Sequence, residues 1–418
     1  MSITFYYLFI FLLVTTTIFQ AWLTKRHIAY VKKNKTKVPS VFSKTISISD
    51  HQKAADYTVS KSNIGIIDLF IQAIFLYLLT LGGGINILTS IFTELSYSFN
   101  LIDNQLLIGA MVIISVMLIS SLIDLPLNYF KTFVIDERFG FNRMTRYIFI
   151  SDIIKQAILS IIIGIPLLLI SLWIITNLGN LWWFWLWVFI SAFNFLMLTI
   201  YPLYIAPFFN KFAPLKDKKL KDKIEKLLLK CGFESDGLFV MNGSLRSNHG
   251  NAYFTGFGKS KRIVFFDTLL EKLNHKEIEA VLAHELGHFH HNHVKKRILL
   301  MFIVSFIGLY ILGVLKDSPW FYSSLGVVQS DANGLLLFLI ISPLFIFFIR
   351  PLMAYYSRKN EFEADDYACK QSNPNDLKVS LIKLYRDNAS TLTPDPLHSK
   401  FYDSHPPALE RINTINKK

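Results

Sequence analysis

The chain has 418 residues, 52% of them hydrophobic and only 17% charged, with a mean hydropathy of +0.39, a balance that excludes an ordinary soluble enzyme and points to a polytopic membrane protein. The net charge of +13 calls for no nucleic acid, because basic loops on one side of a bilayer account for it, with some attraction to anionic lipid. Cys231 and Cys369 are too few and too far apart for a disulfide framework or a thiolate metal site.

Apolar runs long enough for a hydrocarbon core of ~30 Å lie near 3–22, 64–88, 106–128, 148–178, 183–206, 298–315 and 335–356, which predicts seven spans. The first has no basic n-region and no small-residue cleavage site, so it is expected to stay as an anchor. Segments 23–62, 129–147, 207–297 and 357–418 hold nine, four, seventeen and ten Lys/Arg, whereas 89–105 and 179–182 hold none and 316–334 holds only Lys316. The positive-inside rule then places the N-terminus outside and the C-terminus in the cytoplasm. Asp68, Gln72, Asp124, Asn128, Asp152, Lys155, Asn194 and Arg350 lie within or at the ends of these runs, and such costly groups favour a bundle with a hydrated interior. Asp152 and Lys155 are expected to pair at i, i+3, and Pro166, Pro202 and Pro343 to kink their helices.

Between the fifth and sixth spans, 216–230 reads as a Lys-rich amphipathic helix, followed by strand-like runs at 237–241 and 262–267. The stretch 251–258 reads as an edge strand running into a glycine turn, a place where an extended peptide can add as one more strand. Residues 284–288 then spell His-Glu-Leu-Gly-His on an amphipathic helix that opens with Asn274 as N-cap and Glu277 three residues on. Four-residue spacing lets His284 and His288 share a metal, with Glu285 beside them as general base on a water that the metal acidifies. Gly287 weakens such a helix by ~1 kcal/mol relative to Ala, so its presence implies that something approaches the backbone closely.

A catalytic zinc centre needs a third protein ligand. A histidine six residues past His288 is ruled out, since that residue is Val294. Glu361 fills the role, with Asp365 one turn on to accept the second ring N–H of a ligand histidine, while Glu363 points about 160° away around the same helix. His290, His291 and His293 are expected to be helix-end polar groups or supports for the ligands rather than a second metal site. His405, braced by Pro406 and Pro407, suits a donor aimed at a developing oxyanion, and Arg411 a clamp on a peptide carbonyl or C-terminal carboxylate. The metal helix is flanked by Glu271, Lys272, Glu277, Glu279 and Lys295-Lys296-Arg297, which sets it at or outside the membrane surface.

The motifs at 284–288 with His293 beyond, NEFEAD at 360–365, NAYFTGF at 251–257 followed by KRIVFFDTLL at 261–270, FVIDERFGFN at 133–142 and SHPPALERI at 404–412 together resemble the type I CAAX prenyl endopeptidases. The resemblance runs from the first span to the C-terminus. It implies a mainly α fold: seven transmembrane helices around a hydrated chamber, with a gluzincin-like zinc metallopeptidase domain on the cytoplasmic side. The corresponding divisions are 1–206 (five spans), 207–297 (peptidase domain), 298–357 (spans six and seven) and 358–418 (C-terminal segment with the third ligand). It further implies one zinc ion on His284, His288 and Glu361, Glu285 as base, Asp365 behind a ligand, Asn251 on the substrate strand, and His405 and Arg411 as transition-state or substrate-positioning groups. The expected partners are a peptide or protein substrate, lipidated or membrane-associated, and the bilayer, with no nucleic acid. Family members cleave isoprenylated CAAX proteins, removing the terminal tripeptide among other cuts. Richness in Lys, Ile and Asn suits a bacterial inner-membrane member, for which quality control or maturation of membrane proteins is the expected task, while a eukaryotic member would sit in the endoplasmic reticulum. The competing expectation is a non-catalytic zinc scaffold or translocon clearance factor, which would need a fourth ligand to close the site. A transporter is disfavoured by the absence of repeat symmetry.

Overall fold

A computed structural model describes residues 1–98, 104–256 and 261–418. Six helices are long and apolar enough to cross a membrane: Ser2–Asn34, Ile48–Leu79, Gln105–Asp136, Arg146–Asn177, Gly179–Phe209 and His293–Lys316. Side-chain caps start three of them, with Ser47, Asn104 and Thr145 accepting the amides of Asp50, Leu107 and Ile148. Pro166 and Pro202 do not break their helices. Widened i→i+5 turns at Ser160–Gly164 and Tyr201–Ile205 absorb the missing donor and the ring.

Two expected spans are redrawn. The run 64–88 stops at Leu79, turns through Gly83 at φ +78, and gives way to a separate helix, Gly84–Ser98. The run 335–356 is not one straight span: Asp331–Ile346 and Arg350–Gln371 meet at 67°, and the count of spans reaches seven only where this bent pair is taken as one. Hydropathy cannot register this bend. Its cause lies in Pro351, which fits the first turn of the second helix but cannot continue the ladder of the first.

Three helices of the spans bury residues mainly at one end, whereas Ser2–Asn34 is buried along its length. In Gln105–Phe130 the buried set is Ile108 to Val116, in Ile165–Asn177 it is Ser171 to Ile175, and in Trp182–Ile200 it is Trp182 and Leu186. These join Phe9, Ile85, Phe321 and Leu336 in one apolar core. Toward the other end Leu122, Ile154, Leu196 and Ile303 are exposed, while Ile28, Val31, Ala55 and Val59 pack the first two spans together. Gln72 donates to Asp124 at 2.7 Å and Lys131 to Asp68 at 3.1 Å, so several of the polar groups within the spans satisfy one another.

At that end sits a domain with its own core, including Ile224, Phe265, Leu282, Leu286, Leu377 and Ile412. Its sheet has the order β1-β2-β4-β3, from Phe212–Pro214, Leu238–Met241, Ala252–Thr255 and Arg262–Phe266 numbered along the chain. The pairs β1–β2 and β3–β4 are antiparallel and β2–β4 is parallel, leaving β3 as an edge. Gly256 follows it at φ +87, and the rest of the expected glycine turn, 257 and 258, lies outside the described residues. Arg246 ties this domain to the bundle with a fork on Asp152 at 2.7 and 2.8 Å and a bond to Asn210 at 2.8 Å. The expected Asp152–Lys155 pair is therefore replaced. A guanidinium offers two parallel donors that Lys155 cannot, and the Lys155 ammonium lies over the Phe208 and Phe209 rings instead, 5.4 and 5.7 Å from their centroids.

Candidate metal centre

The helix His275–His290 begins with a complete capping box: Asn274 accepts the Lys276 and Glu277 amides, and Glu277 accepts the Asn274 amide at 2.9 Å. Its buried face, Ile278, Leu282 and Leu286, anchors it in the domain core. Gly287 is where the Arg350–Gln371 helix crosses. A Cβ there would stand 2.8 Å from Ala364 Cα and 3.1 Å from Tyr367 Cβ, so any larger residue would force the helices apart. That crossing brings the second helix's carboxylates against the two imidazoles.

Glu361 lies between the rings, its Oε2 3.4 Å from His284 Nε2 and its Oε1 3.4 Å from His288 Nε2. The three ligand atoms all fall within 4.8 Å of one another. Glu361 is buried, yet Oε2 makes no hydrogen bond among the described residues, an arrangement that costs free energy unless a cation completes it. Burial pushes the Glu361 carboxyl up, but the two imidazoles outweigh burial and hold it well below the usual carboxylate range. Burial likewise pulls His284 down, and Asp365 and Glu361 overcome this and raise it to about 9. The pocket favours positive charge, and two imidazoles with one carboxylate suit a divalent metal with an open position.

Behind each ring stands a support. His284 Nδ1 is 2.8 Å from Asp365 Oδ1, and Asp365 is gripped by Arg411, whose Nη2 and Nε lie 2.6 and 2.8 Å from its two oxygens. His288 Nδ1 meets His293 Nδ1 at 3.0 Å, and His293 Nε2 meets Glu363 Oε2 at 2.9 Å. With Nε2 of His288 turned to the metal, one tautomer chain fits: His288 Nδ1–H donates to His293, and His293 Nε2–H donates to Glu363.

The structure thus brings together His284, His288, Glu361, Asp365 and Arg411, with His405 nearby. His405 Nε2 is 3.4 Å from Glu361 Oε1, its Nδ1 is 3.0 Å from Ser404 Oγ, and its side chain is 63% exposed. Glu285 is half-buried and makes no hydrogen bond or ion pair among the described residues, which leaves its carboxylate free. Arg411 is buried and committed to Asp365, with Nη1 3.7 Å from Glu361 Oε2. Asn251 stands apart from this cluster, immediately before β3, where its Oδ1 accepts the Ala252 amide at 2.9 Å. The pairing of His293 with Glu363 escaped the sequence. Five residues on one continuous helix would put His293 far around from His288, but Asn292 breaks the helix at φ +56 and re-aims it. An asparagine after a helix end was the available signal.

Two histidines and a glutamate that could hold a metal ion, carried by crossing helices in a protein with membrane-length apolar helices, have the arrangement of an integral-membrane metallopeptidase. Residues 27–211 match the family model described as CAAX prenyl protease N-terminal, five membrane helices, and residues 214–418 match that of peptidase family M48. The chain belongs to peptidase family M48 and is a multi-pass membrane metalloendopeptidase. It is 39% identical over 319 residues to the CAAX prenyl protease 1 homolog of Arabidopsis thaliana, covering 75% of this chain and 74% of the relative. It is 34% identical over 401 residues to the Dictyostelium discoideum homolog, with 92% and 91% covered. The crystal structure of S. mikatae Ste24p superposes with a TM-score of 0.90 at 31% identity, covering 97% of each chain.

Proposed function

We propose that the metal is zinc, held by His284, His288 and Glu361, and that the site faces the cytoplasm and cuts membrane-tethered polypeptides near their C-termini. The buried Glu361 carboxylate facing both Nε2 atoms, with no hydrogen bond to its Oε2 among the described residues, is the observation that carries the metal assignment. When bound, zinc supplies a Lewis acid that acidifies water and polarises the scissile carbonyl. Glu285, free of other partners, takes a proton from the attacking water and delivers it to the leaving amine. His405 donates to the oxyanion from the exposed side, and Arg411 acts through Asp365 to fix the tautomer of His284. Asn251, heading the edge strand, contacts the peptide laid along β3.

The cytoplasmic orientation rests on the basic loops, which lie on the side of the metal helix. A hydrated interior is supported by the apolar side chains that several spans leave exposed toward the end nearer the metal helix, Leu122, Leu196 and Ile303 among them. The names of the relatives favour CAAX-type, lipidated C-termini as substrates. Composition favours a bacterial inner-membrane role in membrane-protein quality control, which uses the same chemistry. Glu285→Gln is expected to retain one zinc per chain while cleavage of a quenched fluorogenic peptide falls by about 10³-fold, within the range for loss of a general acid–base. Undiminished cleavage by that variant would overturn the mechanism, and comparative proteomics of membranes from cells carrying it would identify the uncut substrates.

A further inference from the structure

The unpaired edge of β3 is closed at its start by a side chain. Asn251 O accepts the Phe266 amide at 3.0 Å, so the backbone of Asn251 faces β4. Backbone groups of successive strand residues point to opposite edges, so Gly250, Ala252 and Phe254 face the free one. There Asn388 Oδ1 accepts the Gly250 amide at 3.1 Å and Asn388 Nδ2 donates to the Gly250 carbonyl at 3.4 Å. An added strand would satisfy Gly250 in the same way, so pairing must stop at this residue. The next residue, Ala389, is buried at φ +44, a left-handed conformation rare for a residue with a side chain, and it fixes the turn that delivers Asn388.

Beside Asn388 lies a cavity of about 430 Å³, lined by Tyr57, Lys61, Ser62, His249 and Ser390 among others. Its lining contains no carboxylate. The Lys61 ammonium lies 4.9 Å from the Tyr57 ring centroid and 3.4 Å from the Tyr57 hydroxyl, and it forms no ion pair among the described residues. Two of its wall residues, Tyr57 and His249, are held from behind by the 133–142 motif, which the hydrolytic chemistry does not use. Asp136 accepts the Tyr57 hydroxyl at 2.8 Å, and Phe141 packs on Tyr57 and stacks on His249, with ring centroids 4.8 and 4.6 Å apart.

We propose that Asn388 and Lys61 read the free C-terminal end of the peptide substrate, an inference that rests on the peptidase reading above. Asn388 ends the pairing edge and leaves Ala252 and Phe254 to bind the substrate backbone, while Lys61 takes the terminal carboxylate in the cavity beyond. Charge sets the direction. An antiparallel peptide, the more stable pairing, reaches Gly250 with its C-terminus, and an unpaired ammonium accepts a carboxylate but repels an α-amine. These two residues therefore set how far from a free C-terminus a chain seated on β3 is cut.

Two fluorophore-labelled peptides of one sequence, with a farnesylated cysteine fourth from the end, test this: one ends in a carboxylate and the other in a carboxamide. Binding is read by anisotropy on full-length Glu285→Gln protein in detergent, and cleavage on protein with Glu285 intact. The carboxamide is expected to bind about tenfold more weakly, the scale of one charge-assisted contact. Lys61→Gln abolishes that preference and Lys61→Arg keeps it, while Asn388→Ala lets peptides extended past the usual end be cut nearly as fast as the original. Equal binding of acid and amide, or a preference that survives Lys61→Gln, overturns the proposal, and the Lys61 arm decides it even if Asn388→Ala does not fold. Discrimination without any cleavage would retire the peptidase reading alone, and cleavage without discrimination would retire this one alone.

Discussion

The two imidazoles of the metal centre are supported in opposite ways. Behind His284 stand Asp365 and Arg411, with side chains 2% and 6% exposed, joining the HExxH helix to the C-terminal helix Ala408–Ile415. Behind His288 stand His293 and Glu363, and the outer carboxylate is 35% exposed. One support is a buried ion pair that also ties three helices together. The other is a chain that ends in water. The difference separates what holds the fold from what tunes the metal, because a buried charge left unpaired is costly whereas an exposed one is resolvated.

The sharpest way to break the contrast is Arg411→Ala. It strands the Asp365 carboxylate in the interior, and the expected loss is about 3–5 kcal/mol of stability, seen as a lower midpoint in thermal unfolding followed by loss of zinc. Adding Asp365→Asn should recover part of that loss, since the buried charge is then gone. Retention of the wild-type midpoint by Arg411→Ala would show that water reaches Asp365 and that the two supports are alike.

How much of this was legible depended on whether a single helix carried the information. His284, Glu285 and His288 lie within about one turn, as do Glu361 and Asp365, so helical period alone aligned each set. The capping box and the close approach at Gly287 were readable for the same reason. What needed a break in the chain was not readable: the 67° bend before Arg350, and the turn at Asn292 that aims His293. Long-range partners were equally hidden. Asp152 is 94 residues from Arg246, and Asp365 is 46 from Arg411, and sequence gave Asp152 a nearer partner and Arg411 a different task.

His293→Ala tests the second support. Its loss frees the His288 ring to rotate and leaves the exposed Glu363 to water, so zinc affinity should fall about tenfold, at the lower end of the range for ligand supports. Competition with a chromophoric chelator measures this, and the unfolding midpoint should move far less than in Arg411→Ala. A midpoint drop as large as that of Arg411→Ala would erase the distinction.

The smallest effect is expected from Glu363→Gln. The amide oxygen still accepts from His293 Nε2–H, so geometry is kept and only the charge is lost, at a site where solvent already screens it. A charge-assisted bond is roughly twice as strong as a neutral one, which at this exposure corresponds to about a threefold loss of zinc affinity. The matched change Asp365→Asn also keeps an acceptor for His284, but it removes the partner of a buried guanidinium and should cost far more in stability. Equal penalties for the two amides would mean that burial does not decide the roles of these carboxylates, and the asymmetry between the supports would be one of sequence only.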